Sequence, residues 1–422
     1  MAVGKGDETM RLTKDEEKML SGGYGEGYRR AIEILVKLGQ FYDAKRLVPI
    51  TMAYLVEGPS PAKPGQASKW LHEMADLGTT FKCPLPLVPL DSSTFSDYDV
   101  HKRLGAVFAY GGAGHPRNSF CLPVFGQHIT ADGTAVTHYM NSYIGARANS
   151  ECFIGQYSAA IVGKTPEYGF HLPENRLGKT LFDIKVKLED ETDWSALGYY
   201  ISRTLGKNYW DVPVINGIRP ADITNDQLVA FCSSVPSYGA CVHSLLVGVS
   251  PEARTLEEAF GGMKPKKRFV VGPKELKGVY DTFSTSKKKP DMVSIGGFGV
   301  NVSIETVHQL VSLLEGKKVS KKFPTVALID GPVRAVADRT GLSDILKAAG
   351  VKLSMADLFE EKGISAEGFA NNPVICAKQM GWNTLVFADA KSCHYIGNQD
   401  IEPVLKHVDE CAKIALTGRL EG

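Results

Sequence analysis

The sequence predicts an α/β protein of more than one domain, with doubly wound, largely parallel sheets around a cleft. Two observations carry this expectation. Beyond Pro290, short apolar runs alternate with amphipathic stretches in the order VSIGGFG, SIETVHQLVSLLEG, TVALID, GPVRAVADRTGLSDILKAAG, VKLS and TLVFADA. Strands and helices of these lengths in alternation make a parallel sheet, which presents ligands at the carboxyl ends of its strands. The chain also has 422 residues, 43% of them hydrophobic, which is enough apolar surface for two or three cored domains.

In chain order, Thr13 to Lys45 reads as helix. Thr13 is the cap, Asp15, Glu16 and Glu17 suit the positive end, and Ala31, Ile32, Ile34, Leu35 and Leu38 recur at helical spacing. The Gly-rich stretch at 21–25 divides it into two helices. From Leu47 to Phe95, apolar runs between Pro and Gly (EGPSPAKPG, PLPLVPLDSS) predict loops that line something. Residues 105–165, rich in Gly, Ala, Ser and Asn, fit close approach of backbone to a ligand or to other backbone. A second unit begins near Gly178. Asp211 to Gly217 and Tyr238 to Gly248 hold strand-like runs, with the helical TNDQLVAFCSSV between them. The polar, Lys-rich segment Pro265 to Pro290 predicts a linker. The expected regions are therefore 1–177, 178–285 and 286–422.

Composition removes several functions. The formal net charge is +1, from 48 basic and 47 acidic residues, so no global field steers the chain toward nucleic acid or an anionic membrane. The basic clusters at 264–268 and 287–289 read as solvated loops. No apolar run reaches the roughly 20 residues of a membrane span, and the N-terminus lacks the apolar core of a secretion signal. The expected location is cytoplasmic. Eight cysteines are scattered without CxxC pairing, which fits neither a disulfide framework nor a zinc ribbon.

The stretch DMVSIGGFGVNVSIETVHQLVSLLEG, from Asp291 to Gly316, has the outline of a phosphate cradle. Its pattern Gly297-x-Gly299-x-x-Val302 lacks the third glycine of a dinucleotide fingerprint, and no GlyLys[Ser/Thr] follows. A tight strand-end turn is the simpler reading.

Several polar groups are candidates for a site. Arg147 and Asn149 in GARAN offer a bidentate cation and a carboxamide suited to a carboxylate, or a structural pairing between domains. His171, Glu174, Asn175 and Arg176 in HLPENR bind substrate or tie down a loop. Ser233, Ser234 and Ser237, beside His243, offer hydroxyls to substrate oxygens, or form a serine-rich turn. Lys391, His394 and Tyr395 follow the last apolar strand, TLVFADA, where an open sheet presents ligands. Lys391 is expected to touch a charged substrate and His394 to transfer a proton.

Five long segments then point to a family. They are MRLTKDEEKMLSGGYGEGYRRAIEILVKLGQFYDAKRLVPI at the N-terminus, NSYIGARANSE (141–151), VGKTPEYGFHLPENRLGKTLFDI (162–184), SSVPSYGACVHSLLVGVSPEARTLEEAFGG (233–262) and FADAKSCHYIGN (387–398). In order and content they resemble the aconitase X proteins, hydro-lyases related to aconitase. The resemblance implies an aconitase-like multi-domain large subunit that eliminates water from a small hydroxy acid such as mevalonate 5-phosphate or cis-3-hydroxy-proline. It also implies a separate small subunit, the swivelling domain, that closes over the cleft and contributes a serine. Without that partner the chain is expected to be inactive.

The resemblance further implies an iron–sulfur cluster on three cysteines, and here the pattern departs from the family. Cys121 fits the first place. The second falls at Gly297 or Gly299 and the third near Leu358, with no cysteine at either. In one reading Cys152 and Cys393, with Cys83 as a further candidate, take over beside Cys121. In the other the protein has no cluster, and is either a cluster-free dehydratase or a paralogue that binds a small acid or scaffolds its partner.

Overall fold

The computed structural model describes residues 10–55, 66–87, 98–108, 121–284, 286, 288–297, 300–365 and 372–420. The chain opens on the helix Lys14–Leu20. Thr13 and Glu16 form a capping box, in which the Thr13 hydroxyl accepts from the Glu16 backbone N–H at 3.3 Å and the Glu16 carboxylate from that of Thr13 at 2.7 Å. After the glycine break, Glu26–Phe41 buries Ala31, Ile32 and Leu35 and packs on the helix Phe153–Val162. Around these helices run two- and three-residue strands: Leu47–Pro49 lies antiparallel to Lys164–Pro166, while Ala53–Tyr54 and Pro86–Leu87 lie parallel to Thr130–Ala131 and Val107–Phe108.

Two four-stranded parallel sheets follow. The first has the order Lys267–Val271, Thr180–Ile184, Pro213–Asn216, Leu245–Leu246. The second has the order Thr325–Ala327, Met292–Ile295, Thr384–Phe387, Glu402–Leu405. Their central strands are buried on both faces, as helices on either side of a parallel sheet require.

The helix Glu191–Leu205 joins the two units. Asp190 caps it, accepting from the Thr192 and Asp193 amides at 3.0 and 3.2 Å. Its Trp194, Leu197 and Ile201 pack into the first sheet's core with Phe182 and Ile215. On its other face Ala196 and Tyr199 enter the second core with Met292, Leu385 and Phe387. A helix shared by two cores fixes their relative placement, since separation would expose several large side chains at about 1.5–3 kcal/mol each.

Three expectations need correction. Pro265–Pro290 is no linker: it contains the edge strand Lys267–Val271 and the helix Pro273–Phe283. Its described lysines face water while Phe269 stacks on Phe182 at 5.3 Å and Leu276, Val279 and Phe283 are buried, so polar composition concealed regular structure. VKLS forms only an isolated bridge between Val326 and Lys352. TLVFADA is not the last strand, because EPVL at 402–405 pairs beside it. Among the described residues no helix is long and apolar enough to cross a membrane.

Candidate active site

In the second sheet the chain leaves Met292–Ile295 toward Thr325–Ala327 on one side, and leaves Thr384–Phe387 toward Glu402–Leu405 on the other. The crevice between Met292–Ile295 and Thr384–Phe387 is therefore a topological switch point, the usual ligand position in an open α/β sheet. A cavity of about 30 Å³ lies there, lined by Glu191, Gly296, Asn301, Thr306, Asp389 and Val408, among others. Four helices begin at its wall: Glu191–Leu205, Ile304–Leu314, Ala390–Gly397 and Val408–Thr417. Helix starts supply unpaired N–H groups and positive potential, which explains why acidic residues gather where sheet and helix meet.

Glu191 and Asp389 are the two cavity carboxyls. Glu191 accepts from Ser303 Oγ at 3.2 Å and from Thr306 Oγ1 at 2.7 Å, so its orientation is set by the N-terminal turn of Ile304–Leu314. Burial raises its pKa to about 7. Asp226 and Asp190 add to the rise and the Thr306 hydrogen bond opposes it. Asp389 caps Ala390–Gly397, with Oδ1 accepting from the Ser392 amide at 2.6 Å. Its Oδ2 is buried without a hydrogen-bond partner. Burial raises Asp389 to about 6, against the Ser392 hydrogen bonds and the charge of Lys391.

Gly296, the first glycine of the stretch, lines the cavity. Gly296 has a φ of +81°, the left-handed region that glycine tolerates, and the Gly297 amide donates to the Val300 carbonyl at 2.7 Å. A Cβ on Gly297 would lie 1.9 Å from Ser392 Oγ and 3.0 Å from Asp389 Oδ2. Glycine is present here so that the helix Ala390–Gly397 can approach closely.

The residues expected from sequence to form a site divide into groups. Lys391 is buried in the first turn after Asp389. His394 sits half-buried between the rings of Tyr199 and Tyr238, each at 5.5 Å, and burial lowers its pKa. Tyr395 packs against the same core. Ser234 shares a hydrogen bond of 2.7 Å with Ser195, whose Oγ also accepts from the Ala390 amide at 2.8 Å. Ser233 is buried, and its carbonyl accepts from Ser237 Oγ at 2.8 Å. This serine chain ties the middle unit to the helix that carries Asp389.

A second group lies where the N-terminal and middle units meet. The buried Arg176 pairs with Glu252 and donates to Asn141 and to the Phe170 carbonyl. Asn149 holds the Tyr168 carbonyl and the Phe170 amide, and Asn175 donates to the Gly169 carbonyl at 2.9 Å. These three polar side chains are occupied in fixing the loop. Arg147 donates from one nitrogen to the His171 carbonyl at 3.1 Å, and its remaining donors have no protein partner among the described residues. Beside it, His128 and His171 approach through Nδ1 atoms 2.9 Å apart. Burial, and then the neighbouring cations, hold His171 well below its usual range.

The cysteines occupy separate surroundings. Cys152 is exposed at the N-cap of Phe153–Val162, on the side facing Leu38 and Tyr42. Cys393 is enclosed in the second core, where burial pushes its thiol well up. Cys121 is half-buried next to the exposed Leu122.

Similarity to known proteins fits this architecture. The family model described as the aconitase X first domain matches residues 9–174, and that of the aconitase X second domain matches residues 178–281. The phosphomevalonate dehydratase large subunit of Thermococcus kodakarensis is 32% identical over 352 residues, covering 82% of this chain and 87% of that protein. The chain belongs to the aconitase X family. A crystal structure of Thermococcus kodakaraensis aconitase X in its holo form superposes with a TM-score of 0.80 at 28% identity, across 96% of this chain and 100% of the other. The cis-3-hydroxy-L-proline dehydratase of Pseudomonas aeruginosa is 26% identical over 371 residues, which are 82% of this chain but 61% of that longer protein.

The three-cysteine cluster expected of an aconitase X protein does not fit the residues present. At Gly297, Ser392 and Asp389 already fill the space of a side chain. Leu358 is 1% exposed in an apolar cluster with Met355 and Phe359. Gly299 lies outside the described residues. Nor do the replacements assemble: among the described residues no cysteine joins a group of three side chains placed to hold a metal ion, and Cys83 is buried with its thiol raised to about 12. A raised thiol pKa disfavours the thiolate that iron requires.

Sequence reasoning missed Glu191, Asp389, Ser195, Asn301 and Thr306. Asp389 had a signal, since it stands two residues after the end of a strand in the FADAKSCHY segment. Glu191 had a weaker one: the acidic run EDETD reads as a solvated surface until Asp190 is recognised as a helix cap.

Proposed function

We propose that this aconitase X chain is the large subunit of a hydro-lyase, removing water from a small hydroxy acid together with a separate small subunit. The observation that carries this reading is the switch-point cavity, which holds two carboxyls with unlike surroundings. Dehydration needs a base at one carbon, an acid at the departing oxygen and a cation for the substrate carboxylate. Glu191 and Asp389 suit the first two roles, with Lys391 supplying positive charge behind Asp389. Arg147 does not line the cavity, but it has donors to spare beside His128 and is the candidate for the third. His394 and Tyr395 line no part of the cavity, so a support role for their helix fits them better.

Mevalonate 5-phosphate is the first substrate to test, because the likeness spans 87% of a phosphomevalonate dehydratase large subunit and 61% of a cis-3-hydroxy-L-proline dehydratase. The test is coexpression with a candidate small subunit, followed by NMR detection of the dehydrated product: an alkene from mevalonate 5-phosphate, or the cyclic imine to which the enamine from cis-3-hydroxy-proline tautomerises. Replacement Arg147→Met should raise KM roughly 10–100-fold, the loss of one charge-assisted hydrogen bond to a carboxylate. The absence of cluster ligands at Gly297 and Leu358 favours a second reading, a paralogue that binds an acid without turning it over. Calorimetric binding of either acid by the complex, with no dehydrated product formed, would select that reading.

A further inference from the structure

We propose that this chain works without an iron–sulfur cluster and that two cavity carboxyls replace it: Asp389 Oδ2 takes the proton from carbon, and the Glu191 carboxyl protonates the departing hydroxyl. The inference rests on the dehydratase reading above for its chemistry, and on this chain's own packing for the loss of the cluster.

Packing excludes the ligand turn. A cysteine at Gly297 would drive its Cβ to 1.9 Å from Ser392 Oγ and 2.9 Å from Ser392 Cβ, so the helix start at Ala390 stands where the ligand would stand. What that helix brings into the space is Asp389, whose Oδ2 has no partner although the group is buried. An unpartnered buried carboxylate oxygen is costly to keep, and it is explained by a proton or a ligand group that arrives there.

Surroundings separate the two roles. Lys391 is the cation facing Asp389 and favours its ionised form. Asp226, on the helix Asn225–Ser234, and Asp190 face Glu191 and favour its protonated form. His407 offsets part of that field through its 3.0 Å contact with Asp190. Like charge beside one carboxyl and opposite charge beside the other divide acid from base, as in other two-carboxyl sites. Ser303 and Thr306 hold Glu191 in one orientation, and the cavity of about 30 Å³ beside it has room for a water-sized leaving group.

The step balances without a redox partner. The C–H bond breaks as its proton moves to Asp389 Oδ2, and its electron pair becomes the new C=C bond. The C–O bond breaks with its pair on oxygen, which receives the Glu191 proton and leaves as water. One proton then sits on Asp389 instead of Glu191, and exchange with solvent restores the starting state.

The experiment begins with iron and acid-labile sulfide in the complex coexpressed with its small subunit and purified without oxygen. The expected content is far below one cluster per chain, and activity should survive air and chelator. Near-stoichiometric iron and sulfide would overturn the proposal, whatever the activity. This measurement is independent of turnover, so a cluster-free complex that dehydrates no acid would count against the hydro-lyase reading and the proton roles together, leaving the cluster result standing. In an active complex, Glu191→Gln keeps the side-chain shape and one of the two oxygens that accept from Ser303 and Thr306, and its NH2 donates to the other hydroxyl. It should lower kcat at least 100-fold with KM little changed and remove the alkaline limb of the pH–rate profile. Asp389→Asn should lower kcat similarly and remove the acid limb. Wild-type kcat and an unchanged profile in a folded Glu191→Gln variant would overturn the assignment even if Asp389→Asn fails to fold.

Discussion

Gly297 shows how a single missing side chain organises its surroundings. Its backbone is not in the left-handed region, so any preference for glycine comes from Ser392 and Asp389 crowding the Cβ position. Gly297→Ala should therefore destabilise the protein by about 1–3 kcal/mol, the range for overpacking a well-filled site. Adding Ser392→Gly should recover most of that loss, since it removes both contacts under 3 Å that Ser392 makes. Thermal unfolding of the two variants checks this, and equal destabilisation without recovery would point to the backbone instead. The position was legible in the sequence only as an oddity, a glycine where a ligand was expected. Its cause was not, because Ser392 lies 95 residues away and only folding brings it near. The same holds for Glu191: the acidic run names no partner, and Ser303 and Thr306 come from another unit.

Among the elements, those announced by a local signal were found. Thr13 begins a helix and TNDQLVAFCSSV forms Asn225–Ser234, which is capped by Thr224. Both caps follow from side-chain oxygens satisfying amides that the helix leaves unpaired. Elements whose solvent face dominates their composition were missed, as in Lys267–Val271 and Pro273–Phe283. There the buried contribution comes from a few residues such as Phe269 and Val279, too few to set the character of a Lys-rich segment. Asn225–Ser234 matters to the site because it carries Ala230 on the cavity wall and Ser234 in the serine chain. Thr224→Ala removes the acceptor for the Gln227 amide at 3.2 Å while the Gln227 side chain still reaches the residue 224 N–H. The expected cost is about 1 kcal/mol, read as a lower unfolding midpoint. Thr224→Ser should restore it, and an unaltered midpoint for the alanine variant would mean that packing alone starts this helix.

At the scale of the whole molecule, the cavity exists because the middle and C-terminal units are held together by polar contacts as well as by the shared helix. One titrating contact among them pairs His407, from the start of Val408–Thr417, with Asp190, the cap of Glu191–Leu205, at 3.0 Å. Asp193 is 3.8 Å from the other ring nitrogen, Tyr280 stacks on the ring at 5.0 Å, and Glu410 adds charge from His407's own helix. The hydrogen bond to Asp190 is the largest cause, and it raises the His407 pKa from its usual value to about 9. A raised histidine pKa stabilises the folded state fully below the unfolded value of about 6.5, and this contribution disappears as pH climbs through the folded value. Stability should therefore fall between pH 7 and about 9.5. Glu191 does not confuse this window, because its own raised pKa of about 7 lowers stability mainly between the unfolded carboxyl range and neutrality. Asp190→Asn keeps an acceptor for the Thr192 and Asp193 amides while removing the charge that faces His407. Unfolding midpoints of this variant should fall less steeply across that window than those of the unaltered protein. Parallel slopes would show that His407 is held by packing against Tyr280 and that the two units do not depend on the charge pair for their docking.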